Sequence, residues 1–139
     1  MLRPDGGGGM NILIVEDDSV SRKFMTKFLS RYGTCQAAED GVRALNMYKK
    51  AYEEHHPYDL ICMDLIMPNL DGYGTIEKIR EYEKEHGIEK QKEAKVIMTS
   101  GSDAGTNMSR AFELGCVAYA SKPIDVVNFN NILRELRLI

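Results

Sequence analysis

From Asn11 onward the chain alternates short apolar runs with longer amphipathic ones, and no other feature constrains its fold as tightly. The short runs are strand candidates: Ile12 to Val15, Thr34 to Ala38, Leu60 to Met63, Lys95 to Thr99 and Val117 to Ala120. Between them, apolar residues recur at helical spacing: Val20, Phe24, Phe28; then Gly41, Ala44, Leu45, Tyr48, Tyr52; then Tyr73, Ile76, Ile79. The same spacing continues through Met108, Ala111, Phe112 and through Val126, Phe129, Leu133, Leu136. Strands alternating with helices in this way are βα units that build a parallel sheet. The first, third and fourth runs are apolar enough to be covered on both faces, whereas the second is mixed and is expected at an edge. Right-handed crossovers then give a doubly wound, five-stranded parallel sheet of the α/β class, an α/β/α sandwich with every strand's carboxyl end on one side. Ligands of open α/β sheets bind along that side.

At 139 residues the chain fits one domain. Residues 1–9 have no periodicity and end in four glycines, so they are expected to be a flexible linker or expression remnant, with the folded domain spanning 10–139. A net charge of -3 and a pI near 5.6 argue against nucleic acid as a direct partner. Three scattered cysteines without a CxxC pair suggest reduced thiols in a cytoplasmic protein rather than zinc or disulfide chemistry. No apolar run approaches the roughly 20 residues that cross a bilayer, so a soluble protein without a membrane role is expected. The charged stretch from Glu81 to Lys95 is expected to be a solvated helix end plus loop.

Asp64 stands where the third strand runs out into a loop. Alone, such an aspartate is an ordinary strand terminator or helix cap. Glu16, Asp17 and Asp18 leave the first strand, and as an isolated acidic run they would be a solvated cap for the following helix. Together with Asp64 they form a carboxylate cluster. Two unit charges about 5 Å apart repel by about 3 kcal/mol at an effective dielectric near 20, so the cluster calls for a cation or raised pKa values. Oxygen-only ligation points to Mg²⁺. Thr99 and Ser100 end the fourth strand, and Lys122-Pro123 follows the fifth, preceded by Tyr119. Singly these are turn, loop and core residues. In combination, acids, a hydroxyl and a lysine at the ends of four strands suit phosphoryl transfer to a carboxylate.

With these motifs the chain resembles a response-regulator receiver domain of two-component signalling. The residues that carry the resemblance are Val15-Glu16-Asp17-Asp18, the run Asp64 to Gly72 (D-x-x-M-P-x-x-D-G), Val96 to Gly101, and Leu114-Gly115 through Tyr119 to Lys122-Pro123. The resemblance implies a flavodoxin-like strand order of 2-1-3-4-5. It further implies that Asp64 receives a phosphoryl group from a phosphohistidine on a sensor histidine kinase or histidine phosphotransfer protein. Asp17 would ligate Mg²⁺ directly, Glu16 through water, and Ile66 through its main-chain carbonyl, with Asp18 left as the helix cap. Lys122 would pair with phosphoryl oxygens, next to a cis peptide at Pro123. Aligning Val96-Ile97-Met98 with the family pattern selects Ser100 as the switch hydroxyl, with Thr99 second, and Tyr119 as the ring that follows it.

The face of the fourth helix, fifth strand and fifth helix would then meet a downstream protein or a second copy of the chain. Such a domain is a phosphoacceptor rather than an enzyme in the ordinary sense. An apolar Ile66, and Ser102 beyond the hydroxyl, leave no strong water-orienting group and suggest slow to moderate loss of the phosphoryl group. Ending just after its fifth helix, the chain is expected to be a stand-alone regulator or a domain of something longer. An aspartyl phosphatase would need a second Asp where Ile66 stands. A flavin site would need a Gly/Ser/Thr-rich loop where Glu16-Asp17-Asp18 stand. A receiver reduced to a pure interaction module would have no need of the intact acids and Lys122. His55, His56 and His86 lack ligand spacing and are assigned no chemistry.

Overall fold

An Asp or Asn precedes each α-helix among the described residues, and its side chain accepts a backbone N–H of the first turn: Asp18, Asp40, Asp71, Asn107 and Asp125. Such caps satisfy donors that a helix cannot pair internally, which fixes where each helix starts. The computed structural model describes residues 9–101 and 107–139. The expected linker, apart from Gly9, and Ser102 lie outside the described residues.

The elements run β1 (Met10–Val15), α1 (Ser19–Leu29), β2 (Gly33–Ala38), α2 (Gly41–Glu53), β3 (Leu60–Asp64), α3 (Gly72–Glu85), β4 (Lys95–Ser100), α4 (Met108–Glu113), β5 (Ala118–Ser121) and α5 (Val126–Glu135). All strand pairs are parallel, in the order β2-β1-β3-β4-β5. The fold is flavodoxin-like, and the mixed second strand lies at an edge as its pattern requires.

Alternating strand residues divide the core in two. Ile12, Ile14, Leu60, Cys62 and Ile97 pack under Met25, Phe28 and Leu29 of α1 and Phe129 and Leu133 of α5. A T-shaped contact between Phe28 and Phe129, with centroids 5.7 Å apart, joins those two helices. Leu13, Val15, Ile61, Met63, Val96 and Met98 point the other way, onto Tyr48 of α2, Ile76 and Ile79 of α3 and Ala111 of α4. Each fully buried Leu, Ile or Phe contributes about 1.5–3 kcal/mol relative to exposure.

Two expectations need correcting. On α1 the buried residues are Met25, Phe28 and Leu29, while Val20 and Phe24 are 74% and 45% exposed. The apolar stripe is wider than the face the sheet covers, so one flank is left to solvent. The charged stretch before β4 is also not wholly solvated, because Glu83 is completely buried. Its carboxylate accepts from the Tyr48 hydroxyl (2.6 Å), the Arg80 guanidinium (2.7 Å) and the backbone N–H of Ala94 (3.0 Å). Arg80 also donates to the Gly115 carbonyl at 2.7 Å. A buried carboxylate paired and hydrogen-bonded in this way ties α2, α3, the start of β4 and the turn before β5 together.

Candidate functional site

Asp64 is the last residue of β3 and is 7% exposed at the carboxyl edge of the sheet. Its neighbourhood is shaped by Gly72, which opens α3. A Cβ there would lie 2.8 Å from the Leu65 Cα and 2.9 Å from the Asp64 carbonyl oxygen, so only glycine lets the helix start this close to the strand end. The Gly72 N–H donates to the Leu65 carbonyl at 2.8 Å and closes the loop. The Ile66 N–H points back to Asp64 Oδ1 at 3.3 Å, while the Ile66 side chain is exposed.

Glu16 follows β1 and is 4% exposed. Its Oε2 accepts the Asp18 N–H at 3.1 Å, and its Oε1 accepts a hydrogen bond from Lys122 Nζ. Lys122 Nζ also lies 3.2 Å from Asp64 Oδ2, so one ammonium bridges two nearly buried carboxylates. Asp17 is the exposed member, and carboxylate oxygens of Glu16, Asp17 and Asp64 lie within 4.8 Å of one another. Asp18 turns away and caps α1 through the Ser21 N–H at 2.8 Å.

The electrostatics follow from these contacts. Partial burial, then the hydrogen bond and charge of Glu16, push the Asp17 carboxyl above the ordinary carboxylate range. The Ser21 backbone N–H holds Asp18 below it. Burial alone would push Lys122 down, but the hydrogen bond it donates to Glu16 and the charges of Asp64 and Glu16 outweigh it and leave the ammonium raised. Three converging carboxylates, one of them reluctant to ionise, fit a hard divalent cation with oxygen ligands.

The two hydroxyls at the end of β4 fall on opposite faces. Thr99 shares the face of Ile97 and lines an apolar groove of about 670 Å³ with Val20, Phe24, Met25, Cys62 and Ile124; Glu16 and Lys122 are at the same groove. Ser100, 1% exposed, shares the face of Met98, and its Oγ donates to the Gly101 carbonyl at 3.2 Å. Tyr119 packs against that second face, with its hydroxyl buried and without a hydrogen-bond partner among the described residues. The Lys122–Pro123 peptide is cis.

Glu16, Asp17, Asp18, Asp64, Ile66, Thr99, Ser100, Tyr119, Lys122 and Pro123 are therefore at this edge or beside it, and Ser102 lies outside the described residues. Sequence reasoning missed Arg22, whose Nη1 donates to the carbonyls of Glu16 at 2.9 Å and Asp17 at 3.3 Å. Its position one helical turn beyond the Asp18 cap is the signal that could have found it.

A doubly wound sheet of this order, with a strand-end aspartate beside an acidic pair and a lysine, defines a class of phosphoacceptor switch domains. A family model for the response regulator receiver domain matches residues 12–134, and the chain belongs to that family. It is a receiver domain of two-component signalling. Among its relatives, probable histidine kinase 2 of Oryza sativa subsp. indica is 33% identical over 127 residues, covering 84% of this chain and 12% of that protein. Transcription factor SKN7 of Saccharomyces cerevisiae is 41% identical over 81 residues, covering 58% of this chain and 12% of that protein. The chain thus spans about an eighth of the length of these curated relatives.

Among solved structures, the receiver domain of Ssk1 from Saccharomyces cerevisiae, crystallised with the histidine phosphotransfer protein Ypd1, superposes with a TM-score of 0.80 at 25% identity, covering 96% of this chain and 94% of that one. The receiver domain of the histidine kinase CKI1 from Arabidopsis thaliana, complexed with Mg²⁺ and BeF₃⁻, gives a TM-score of 0.77 at 28% identity, covering 94% and 91%. No helix among the described residues is long and apolar enough to cross a membrane.

Proposed function

We propose that Asp64 is the phosphoacceptor of this switch and that it takes its phosphoryl group from a phosphohistidine. The observation that carries the reading is the bridge from Lys122 to both Asp64 and Glu16 within a cluster of three carboxylates. An Asp64 oxygen attacks phosphorus in line, the P–N bond breaks, and the departing imidazole keeps the electron pair and takes a proton from solvent. Asp17, Glu16 through water, Asp64 and the Ile66 carbonyl would hold Mg²⁺, which supplies positive charge to the transferring oxygens. Lys122, already drawn to Asp64, turns its ammonium to the same oxygens once the carboxylate carries the phosphoryl group as an acyl phosphate.

Ser100 is the better candidate for the switch hydroxyl, because strand alternation sets it on the face against which Tyr119 packs. Movement of Ser100 toward the phosphoryl group would alter the space around that ring, whose orphan hydroxyl makes its present seat costly. Pro123 follows Lys122 in the cis form and belongs to the same turn.

The donor would be a sensor histidine kinase or histidine phosphotransfer protein, a reading supported by the complex in which the Ssk1 receiver was crystallised. The exposed Val20 and Phe24 beside the groove offer it an apolar seat. The output face would be α4, β5 and α5, where Met108, Phe112 and Val127 are exposed, and its partner a downstream protein or a second copy of the chain. A cytoplasmic location accords with three free cysteines, and the folded unit from residue 10 to 139 would act as a phosphoacceptor rather than on a separate substrate.

The test is incubation with Mg²⁺ and acetyl phosphate or beryllofluoride. Wild type is expected to gain an acid-labile phosphoryl group, and Asp64→Asn to gain none. A wild type that takes up neither phosphate nor beryllofluoride sinks the reading.

A further inference from the structure

Beside the site, Arg22 reaches the backbone of the acidic loop from the first turn of α1. Its Nη1 donates to the Glu16 carbonyl at 2.9 Å and to the Asp17 carbonyl at 3.3 Å. Those two carbonyls belong to the peptides on either side of Asp17. A single nitrogen tied to both fixes the two peptide planes between which the Asp17 Cα sits, and so fixes the direction in which its side chain leaves the chain.

Asp17 is where such a constraint matters. Glu16 is buried and held by the Asp18 N–H and by Lys122, and Asp64 is held within β3 and faced by Lys122. Asp17 is exposed, stands in the turn between β1 and the first residue of α1, and brings its carboxylate within 4.8 Å of those of Glu16 and Asp64. Repulsion from Glu16 would swing it outward unless its backbone were anchored. Arg22 rises from the first turn of α1, which the Asp18 cap holds in place, so the anchor is itself rigid.

We propose that Arg22 is a positioning residue for the divalent-cation site, aiming the Asp17 carboxylate by clamping the peptides on both sides of it. The inference rests on the reading of Glu16, Asp17 and Asp64 as that site. It differs in sign from a charge effect. A guanidinium near a cation site repels the cation, so if Arg22 acted only through its charge, Arg22→Gln would bind Mg²⁺ more tightly and Arg22→Lys would match wild type. Positioning requires the opposite for Arg22→Gln. Lysine keeps the charge but not the planar donor fork, so Arg22→Lys also weakens binding.

The experiment is Mg²⁺ titration of the full chain, followed by the amide NMR shifts of residues 16–18 and 64–66, for wild type, Arg22→Gln, Arg22→Lys, Asp17→Asn and the Asp17→Asn/Arg22→Gln double variant. Removing an outer-shell partner of a metal ligand costs about 10–100-fold in affinity, and the lower part of that range is expected for Arg22→Gln. Little further loss is expected when the same change is made in Asp17→Asn, because Arg22 acts through Asp17. Melting curves in EDTA are expected to show all variants folded, and a backbone amide spectrum dispersed like wild type provides the same check residue by residue. If both Arg22 variants bind Mg²⁺ like wild type or better while Asp17→Asn is impaired, the positioning role is overturned and the cation site stands. Equal losses from Arg22→Gln with and without Asp17 would also overturn it. If Asp17→Asn itself binds like wild type, the reading of the cation site is what fails.

Discussion

Lys122 shows most directly how the site balances charge at the level of single residues. In the absence of a cation it is the counter-ion of both Glu16 and Asp64, and their charges raise its pKa despite burial. A divalent ion drawn to the same carboxylates meets that ammonium as a competitor. Lys122→Met is therefore expected to bind Mg²⁺ at least about tenfold more tightly, the equivalent of about 1.4 kcal/mol of relieved repulsion, and to lose the response of Tyr119 to beryllofluoride. Mg²⁺ titration and the Tyr119 ring signals check both halves, and weaker Mg²⁺ binding would contradict the competition. The carboxylates, Lys122 and the hydroxyls of Thr99 and Ser100 were legible in the sequence because they stand at strand ends, and only the family pattern preferred Ser100 to Thr99. Arg22 was not, because it works through carbonyls that every residue possesses.

At the level of elements, strands and helices were legible because their periods differ, and the Asp18 cap marked the start of α1. The pattern could not say which faces would be covered: Val20 and Phe24 of α1 share the apolar stripe with Phe28 yet lie outside the contact with the sheet. Nor could composition single out Glu83 from the charged residues around it, since its burial depends on Tyr48 arriving from α2 and Ala94 from the approach to β4. Glu83→Ala removes one partner of a buried pair and leaves Arg80 uncompensated, so a loss of about 3–5 kcal/mol is expected in urea unfolding. A cost below 1 kcal/mol would mean that the network is not holding α2, α3 and β4 together.

The cap of α2 gives a pH dependence with a definite sign. The Arg43 N–H and the Asn69 side chain hold Asp40 below the ordinary carboxylate range. Its stabilising contribution is thus fully present above the unfolded pKa of about 3.9 and is lost as pH falls through the lower folded value. Asp40→Asn keeps a capping oxygen without the titration, so its stability is expected to fall less steeply than that of wild type below about pH 4. Parallel acid limbs in the two unfolding profiles would refute this.

At the level of the whole molecule, the alternating pattern settled a doubly wound sheet, but not the order of its strands. That order depends on α1 and α5 covering one face while α2, α3 and α4 cover the other, and every crossover helix has an apolar stripe that would serve on either side. It became legible only through the loop motifs, which belong to a family with one order. The same topology brings Glu16, Asp17 and Asp64 together from β1 and β3, neighbours at the centre of the sheet, and so builds carboxylate repulsion into the fold. Partial burial, and after it the hydrogen bond and charge of Glu16, raise the Asp17 pKa, so ionising it is harder in the native chain than in the unfolded one and its charge works against folding at neutral pH. Without a cation, Asp17→Asn is then expected to melt at a higher temperature than wild type, modestly because Asp17 is largely exposed. Adding Mg²⁺ at a hundredfold excess over its dissociation constant should stabilise wild type by about 2.7 kcal/mol, a rise of several degrees, and the variant far less. The two melting curves would therefore exchange order between EDTA and Mg²⁺. An order that stays the same in both conditions would mean that the cluster is not the place where fold stability and cation binding are linked.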